Sequence, residues 1–540
     1  MNELPKEGAG RPLYESVPKM QPEVPSAPYL WSAAASYPLA YLYVKEILFV
    51  SKFTSWGLPV FTILFIAGVE VMARALHRKA AAETPLWAGC WLVLTGAMVL
   101  WGEQPALSGW QPLVWHLFAV WFVLARCGML AQGYTGSLCF LDGVTGLILL
   151  PFGNFFRRIG AVWAGLRSLA RQRLKLRQTA VGAVTVVITL LLCAVAWSLL
   201  AAADPHFAAI GRNWTAWLNS FLDSYKLFSY VMYFLLSLPV GAWLYGLVAG
   251  ALRRETPPCP ADRFCARTEP LRCLPWITSN VAVGALCAIY TLFFALQAAE
   301  WLAAAPLGLT APAASDFAVD GFWELLRILL LDFCVLAAVR FLGRRPLPKA
   351  LAALFCLYGV AFAALAAAKL ATYIRLFGYT PRRVVAGWFL CVLGIWAILL
   401  LVRVFRAVPA ARIGLAVLAV SFVLLSCADI KSRIVRANVE RYAAGVDADL
   451  DLDVLQDCGL SYWTRGREQS DMVTYTRWLL DAGWFENRSI EDLQQLYDMD
   501  GPGLGETRRV RLDGDWLLTM TFDDRWCCTA ASLTQTENRV

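Results

Sequence analysis

The sequence predicts an all-α, multi-pass transmembrane helical domain with a small soluble α+β domain at its C-terminus. Of the 540 residues, 59% are hydrophobic and only 16% are charged, and the mean hydropathy is +0.54. Soluble domains average about 45–50% apolar and about 25% charged residues. The apolar residues form runs of roughly the 20 residues that a bilayer-spanning helix needs, and these runs end before residue 429.

Residues 31–428 are predicted to form the membrane domain, with ten or eleven transmembrane helices. Residues 37–50 are a weaker segment because they include Lys45 and Glu46, so they either cross or pack obliquely inside the bundle. The first 30 residues have no apolar core and are predicted to be a disordered tail. The ten stronger segments are residues 57–76, 85–101, 111–129, 180–203, 228–251, 276–299, 322–342, 347–368, 384–402 and 413–428.

Lys and Arg concentrate in four connections, which the positive-inside rule places in the cytoplasm. The opposite loops, residues 102–110 and 300–321, contain neither residue type. This pattern predicts a cell-membrane protein with a cytoplasmic N-terminus and an extracytoplasmic C-terminal domain. If residues 37–50 do not cross, the N-terminus lies outside and the later assignments are unchanged. The four basic connections are residues 74–79, 157–177, 253–272 and 340–349.

Two connections have the spacing of interfacial amphipathic helices, near residues 157–177 and 205–225. In the first, apolar residues at helical spacing are accompanied by arginines that include Arg158 and Arg167. Such a helix can lie on the inner leaflet with its cations near anionic lipids, although a simple basic loop is the alternative. The second carries a stripe of aromatic residues. Residues 137–151 are too short to span and are predicted to be re-entrant or interfacial.

Residues 429–540 are predicted to be a soluble domain, because charge rises there and long apolar runs stop. Ser489 and Asp492 form a capping box before a short helix. In residues 509–522 the apolar positions alternate on both sides of an Asp-Gly pair, which predicts a β-hairpin. A helix over residues 474–485 completes a small α+β unit.

A polar elbow, YIRLFGYTPRRV at residues 373–384, separates two apolar runs. Gly378 and Pro381 are predicted to end or bend the first helix, because glycine admits positive φ and proline has no N–H to donate. Thr380 can cap the following helix with Pro381 at its first position. The predicted topology places this elbow outside the cell, although its arginines run against the positive-inside rule.

Several stretches resemble the bacterial membrane families of the domain of unknown function 4173 and 4153 type. They are SDFAVDGFWELLRI at residues 315–328, the elbow, and IVRANVERYAAG at residues 434–445, with DLDLDVLQDCG at residues 449–459 similar in character. The resemblance covers roughly the second half of the chain. It implies a polytopic membrane protein with a soluble C-terminal part, and it supplies no activity or catalytic residue. The elbow residues that carry it include Tyr373, Arg375, Gly378, Thr380, Pro381 and Arg382.

One departure from the family pattern lies at residues 317–320. These read Phe-Ala-Val-Asp, whereas the family pattern often has Tyr-Ala-Arg before its Gly-Phe pair. Any role of that arginine therefore does not carry over to this chain.

Ionisable residues inside the apolar segments are the candidate functional residues, because a charge at the bilayer centre costs at least ~2.5–3.5 kcal/mol. Glu324 and Arg327 are three residues apart and can pair on one helix face. Asp332 needs a partner or water, and Lys369 lies at a depth compatible with Glu324. Glu70 is alone in its span. These residues either line a substrate or ion pathway or form a buried ion-pair network that fixes helix packing.

The sequence contains no motif for catalysis or cofactor binding, and no metal site is predicted. Aspartates alternate from residue 447 to 453, yet an EF-hand loop starting at Asp449 would need Gly and Glu where Val454 and Leu460 stand. A loose calcium site and a solvated acidic face remain as alternatives. The arginines are dispersed beside apolar runs, which argues against a nucleic-acid partner.

These observations favour a non-enzymatic membrane sensor, scaffold or envelope assembly factor. Its expected partners are the lipid bilayer, anionic lipids at the inner leaflet, and an envelope component or protein bound through residues 429–540. The alternative is a transporter or flippase that uses the intramembrane charges. A third class, an enzyme acting on lipid-linked sugars with the Asp-rich run as its metal site, lacks a supporting outer cleft in the sequence.

Overall fold

The computed structural model describes residues 27–49, 56–102, 104–173, 224–304, 311–461, 469–499, 507–512 and 515–536, with isolated residues between 185 and 197. The chain divides into two compact units. The first comprises residues 1–102 and 114–266, and the second comprises residues 103–113 and 267–540. Each unit has its own set of long helices.

In the described part of the first unit the regular elements are helices, joined by turns and short loops. Helix α1 continues into a π-helical turn at Val44–Leu48, and α5 is joined to α6 by another at Thr145–Leu149. Helix α4 begins in the segment assigned to the second unit. The helices are α1 (Ala27–Tyr43), α2 (Gly57–Ala75), α3 (Thr84–Trp101), α4 (Trp110–Cys127), α5 (Cys139–Val144), α6 (Leu150–Gly153), α7 (Arg157–Arg173), α8 (Ser224–Arg253) and α9 (Ala261–Thr268).

Aromatic side chains from α2, α3 and α4 fill the interior of the first unit. Trp91 and Trp115 are fully buried, with ring centroids 5.4 Å apart, and Phe61 lies 5.9 Å from Trp115. The Trp115 indole N–H donates to the hydroxyl of Thr95 at 2.9 Å. These helices therefore pack against one another mainly through aromatic rings. The hydrogen bond to Thr95 pairs the Trp115 indole N–H, which would be costly to bury without an acceptor.

A bend of 44° separates the α5–α6 segment from α7, which fits a broken span or a re-entrant loop. Here Arg158 is buried: its guanidinium lies 3.5 Å from the Tyr37 ring centroid and donates to the Leu238 carbonyl at 2.9 Å. The close approach depends on Gly241, where a Cβ would meet the guanidinium at 2.5 Å. The expectation that Arg158 faces anionic lipid is therefore wrong, because this cation packs inside the unit.

The described part of the second unit contains five long helices followed by the C-terminal domain. The long helices are α10 (Trp276–Ala304), α11 (Ala311–Leu342), α12 (Lys349–Phe377), α13 (Pro381–Phe405) and α14 (Ala410–Cys427). The C-terminal domain has helices α15 (Ile430–Ala443), α16 (Leu452–Asp457), α17 (Gln469–Asp481) and α18 (Ile490–Leu496) and strands β1 (Thr507–Arg511), β2 (Trp516–Phe522) and β3 (Cys528–Gln535).

The C-terminal domain is the predicted α+β unit. Strands β1 and β2 form the expected antiparallel hairpin, with Val510 opposite Leu518. The predicted cap is also confirmed, because the Ser489 hydroxyl accepts from the Asp492 N–H at 3.1 Å. Helix α17 begins at Gln469 rather than at residue 474. Strand β3, which extends the sheet in the order β1-β2-β3, was not predicted.

Within the described residues, seven helices are long and apolar enough to cross a membrane. The chain is therefore a multi-pass membrane protein. The predicted segments 111–129 and 322–342 are also helical, in α4 and α11, but α11 carries several charges. Most of residues 180–203 and 205–225, and residues 1–26 of the tail, lie outside the described residues. The seven helices are α2, α3, α8, α10, α12, α13 and α14.

Candidate functional site

The elbow has the local geometry that its sequence predicts. Helix α12 ends at Phe377, and Gly378 takes φ +70° while its N–H donates to the Ile374 carbonyl at 2.9 Å. The Thr380 hydroxyl accepts from the Arg383 N–H at 3.2 Å and so caps α13, whose first residue is Pro381. The predicted helix stop and cap are both confirmed.

A side-chain amide from the C-terminal domain clamps the elbow backbone. Asn438 of α15, only 8% exposed, accepts from the Tyr379 N–H at 2.9 Å and donates to the Tyr379 carbonyl at 2.8 Å. Both backbone groups of one elbow residue are thus satisfied by one amide. A Cβ at Gly378 would lie 2.9 Å from the Asn438 Oδ1, so glycine also makes room for the clamp.

An ion pair holds a second contact beside the clamp. Arg441 of α15 donates to the Arg375 carbonyl at 2.9 Å, and its guanidinium forms a two-pronged pair with Asp447 at 2.6 and 2.7 Å. The hydrogen-bonded carboxylate of Asp447 raises the pKa of Arg441 above its ordinary value. Planar bidentate pairing through Nε and Nη2 fixes the direction of the guanidinium, so the second N–H of Nη2 points at the Arg375 carbonyl at the end of α12.

Arg383 closes the elbow from the membrane-helix side. Its Nη1 donates to the carbonyls of Phe377 and Gly378 at 2.7 and 2.8 Å, and its guanidinium lies 4.2 Å from the Tyr373 ring centroid. A cation at the C-terminus of a helix stabilises the carbonyls left without intrahelical partners. The other two motif arginines, Arg375 and Arg382, are exposed, and their side chains form no hydrogen bond or ion pair with the described residues.

The C-terminal domain is joined to the membrane helices without a flexible linker. Helix α14 ends at Cys427, and Asp429 already caps α15 by accepting from the Ser432 N–H at 3.2 Å. Val384 of α13 and Leu425 of α14 pack against the hydrophobic core of the domain. The core of the domain is thus continuous with the ends of two membrane helices.

Three of the four alternating aspartates, Asp447, Asp449 and Asp451, have their carboxylates engaged by other groups of the protein. Asp449 pairs with Arg488 through both carboxylate oxygens and accepts from the Trp484 indole at 3.3 Å, and Asp451 caps α16. Burial is the largest influence and would raise the pKa of Asp449, but the Arg488 guanidinium, the Leu450 N–H and the Trp484 indole together outweigh burial and hold that pKa below its usual value. Over the described residues no group of three or more His, Cys, Asp or Glu side chains could hold a metal ion.

The sequence suggested that Glu70 is alone in its span, but in the structure its carboxylate is paired within the first unit. Arg126 of α4 donates to both of its carboxylate oxygens, one at 3.3 Å, and Arg74 donates at 2.7 Å. The Arg126 side chain is only 7% exposed, and it also donates to the Arg78 carbonyl at 3.0 Å. This network joins α2 to α4, which is the behaviour of an ion pair that fixes helix packing.

The other intramembrane candidates lie in the second unit and do not converge. Glu324 and Arg327 are exposed on α11, and no hydrogen bond or ion pair joins them. Lys369 packs its ammonium against Gly321, where a Cβ would lie 2.3 Å away. Asp332 is eleven residues further along α11 than Gly321, about 16 Å at the helical rise, so it does not pair with Lys369.

Asp332 is the most buried of these candidates, at 3% exposure. The Tyr290 hydroxyl of α10 donates to its Oδ1 at 2.7 Å. Its Oδ2 is buried and has no hydrogen-bond partner in the described part of the chain. The surrounding core comes from α10 to α13 and includes Phe355 and Phe362.

The residues that complete the elbow site were only partly visible in the sequence. Asn438 and Arg441 lie within the family-like stretch IVRANVERYAAG. The resemblance singled out this stretch but gave no information on the residues that it contacts. Arg383 stood in the elbow motif without a role. Arg126 ended a predicted span, and its contact with Glu70, 56 residues away, has no local signal.

A family model described as a domain of unknown function, DUF4153, matches residues 88–463. The chain belongs to this family. No curated protein and no solved structure matches the chain. The match begins in the first unit, well before the second half where the resemblance was placed. It ends after α16, so it contains the elbow and its partners on α15 but not the sheet.

Proposed function

We propose that this DUF4153 protein is a non-enzymatic sensor, scaffold or envelope assembly factor of the bacterial cell membrane. In this proposal residues 429–540 form a platform, outside the cell, that engages an envelope component or protein. One observation carries the proposal: the elbow between α12 and α13 is held on both of its faces, by Asn438 and Arg441 from the platform and by Arg383 from the membrane helix.

The clamp supports mechanical coupling between the platform and the membrane helices. A domain that only needs to be tethered tolerates a long, flexible linker. Here only Ala428 separates α14 from the capping residue of α15, and the hydrophobic core extends to Val384 and Leu425. A partner bound to such a platform can be positioned by the membrane helices, or can shift them.

Charge distribution within the second unit supports an outside location for the platform. The elbow and the α14–α15 junction lie at the same end of the antiparallel helices α12 to α14. The short connections at the other end, 340–349 and 403–412, contain seven Lys and Arg residues, whereas the elbow, residues 373–384, contains three. The positive-inside rule counts such short loops and largely ignores translocated domains.

The proposal is tested by the distance between two spin labels in the full chain in lipid nanodiscs. The labels are placed at Ala371→Cys near the end of α12 and at Glu486→Cys on the platform, both exposed positions. Rigid coupling predicts a narrow distance distribution. Asn438→Ala combined with Arg441→Ala should broaden it, because the Tyr379 backbone loses its partners and the Arg375 carbonyl loses its donor.

Arg436→Ala is the matched control. Arg436 lies on α15, where its ion pair with Glu440 is exposed on both sides, so its removal should leave the distribution narrow. A broad distribution in the parent chain would contradict the platform proposal. An unchanged distribution in the double variant would show that the clamp is not what couples the domain.

The runner-up function, a transporter or flippase, is favoured by one observation: the buried Oδ2 of Asp332 has no hydrogen-bond partner among the residues that the structure describes. A buried acid of this kind can take up and release a proton during transport. Proteoliposomes with an imposed pH gradient and an internal pH dye test this. A proton-coupled transporter should dissipate the gradient, and Asp332→Asn should stop it at equal protein abundance.

Two controls separate transport from packing. Glu324→Gln changes an exposed carboxylate on the same helix and should leave the flux unchanged. Asp332→Asn together with Lys369→Gln should lower abundance if these charges only fix helix packing. Equal dissipation by the parent chain and by Asp332→Asn would rule out Asp332 as the coupling residue.

A further inference from the structure

The two edges of the C-terminal sheet differ in how they are protected. Strand β1 has five residues, three of which are the arginines Arg508, Arg509 and Arg511. Strand β3 has eight residues, CTAASLTQ, with no charge, no proline and no glycine. Proteins usually guard an exposed edge with charged residues, proline or a short strand, because its free backbone groups attract another strand. The β3 edge has none of these guards.

The hydrogen-bond pattern identifies the backbone groups that face outward from β3. The Thr536 N–H donates to the Asp515 carbonyl, so this is a hydrogen-bonded pair of the β2–β3 ladder. Hydrogen-bonded and non-hydrogen-bonded pairs alternate along an antiparallel ladder. By the β2–β3 register, the backbone N–H and C=O groups of Ala530, Ser532 and Thr534 therefore point toward β2. The N–H and C=O groups of Ala531, Leu533 and Gln535 therefore point away from the sheet.

The open part of the edge starts after Cys528. The Cys528 N–H donates to the Arg488 carbonyl at 2.7 Å, and its carbonyl accepts from the Asn487 N–H at 2.9 Å. Beyond this point no described strand pairs with β3. Ala531 and Leu533 pack against the core of the domain, and Ser532 is exposed on the other face of the sheet.

We propose that β3 is a self-association edge, pairing antiparallel with β3 of a second copy about a two-fold axis at Ser532. This register centres on the open stretch 529–535, and Ala531 and Leu533 exchange backbone hydrogen bonds with Leu533 and Ala531 of the second copy. Ser532 faces itself, and Thr534 faces Ala530. The result is a six-stranded sheet across the axis.

A second copy fits this edge because the strand is self-complementary. Every cross-strand pair in the register joins uncharged side chains, so no like charges meet, which would be destabilising. The same contact on both copies gives a closed two-fold dimer. The inference goes beyond the platform proposal and does not depend on which side of the membrane the domain occupies.

Cysteine cross-linking of the full chain in native membranes tests the register. Directly opposite residues of a non-hydrogen-bonded pair have Cα atoms about 4.5 Å apart, within the range of a disulfide. Ser532→Cys should therefore form a covalent dimer on mild oxidation, several-fold above the parent chain with its native thiols. Thr534→Cys is the matched control, because its own counterpart lies four residues off register, about 13 Å away.

Three results would overturn the proposal. They are a Ser532→Cys dimer at the parent level, equal dimers from Ser532→Cys and Thr534→Cys, and a Ser532→Cys adduct with a different protein. The last result would identify an extended segment of another partner as the occupant.

A charge placed on the axis gives an independent test. Ser532→Lys brings two ammonium groups face to face and should weaken dimerisation about fivefold or more, measured by single-molecule photobleaching of labelled full chain in membranes. Thr534→Lys faces Ala530 and should dimerise like the parent chain. A monomeric parent, or equal loss in both variants, would contradict self-pairing through β3.

Discussion

Gly378 is the residue on which the elbow turns. It adopts φ +70°, a conformation that residues with a side chain rarely take, and it lies against the Asn438 amide. Gly445, at the end of α15, has nearly the same φ of +68° but open space where a Cβ would stand. Comparing the two glycines therefore separates the effect of the left-handed backbone, which both share, from the effect of the contact with Asn438, which only Gly378 makes.

Replacing Gly378 with alanine should destabilise the protein more than the same change at Gly445. Both variants incur roughly 1–2 kcal/mol for the left-handed backbone. Gly378→Ala should lose about 1–3 kcal/mol more, because the Cβ displaces the Asn438 oxygen and leaves the Tyr379 N–H without an acceptor. Thermal melting of the detergent-solubilised chain, followed by tryptophan fluorescence, measures the difference. Equal melting points would mean that the clamp contributes little to stability.

Local chemistry explains why some site residues could be predicted. The helix stop at Gly378 and the cap at Thr380 depend on neighbours within a few residues, so the sequence was sufficient. The Asn438 clamp joins residues 59 positions apart, and nothing in either segment alone specifies the partner. At Arg158 a local pattern was misleading. Amphipathic spacing cannot distinguish a cation that faces lipid from one that is buried against an aromatic ring.

At the scale of elements, the ion pair between α2 and α4 acts as a packing device. The Glu70 carboxylate is about a third exposed, whereas the Arg126 side chain that it neutralises is almost fully buried. Removing one partner of such a pair leaves a buried charge uncompensated, which costs about 3–5 kcal/mol. Replacing both partners with apolar residues is often close to neutral.

Glu70→Gln should therefore lower the abundance of the protein in membranes sharply. Glu70→Met combined with Arg126→Met should restore most of it. Arg74→Ala removes an exposed partner of the same carboxylate and should change stability by no more than ~0.5 kcal/mol. Quantitative immunoblotting of membrane fractions measures all three variants. Normal abundance of Glu70→Gln would favour a functional pathway over the packing network.

Elements with a strong period were predicted and weakly patterned ones were not. The hairpin β1–β2 alternates clearly and was anticipated, as were the long apolar helices. Strand β3 reads CTAASLTQ, and its small residues give no clear alternation of apolar and polar positions. The strand is therefore recognised only in the structure, where it pairs with β2. Helix α11 is an intermediate case: residues 322–342 were predicted as a span and are helical, but Glu324, Arg327 and Asp332 keep this helix out of the seven that are apolar enough to cross.

At the scale of the whole molecule, the elbow lies inside the region that matches the family and also contacts the C-terminal domain. The family match includes the elbow and α15 but stops before the sheet. In the sequence these were separate resemblances, and in the second unit two of them, residues 373–384 and 434–445, are in direct contact. The matched region therefore contains the junction between the membrane helices and the platform, and the side of the membrane that the platform occupies decides what this junction can respond to.

The most direct measurement is labelling of single reporter cysteines in intact cells with a membrane-impermeant thiol reagent. Arg375→Cys reports on the elbow, Glu486→Cys on the platform, and Arg345→Cys on the basic end of α12, with the parent chain giving the background of native thiols. An outside location of the elbow and the platform predicts labelling at Arg375→Cys and Glu486→Cys, and labelling at Arg345→Cys only after the membrane is opened. The reverse pattern would contradict it and place the platform in the cytoplasm.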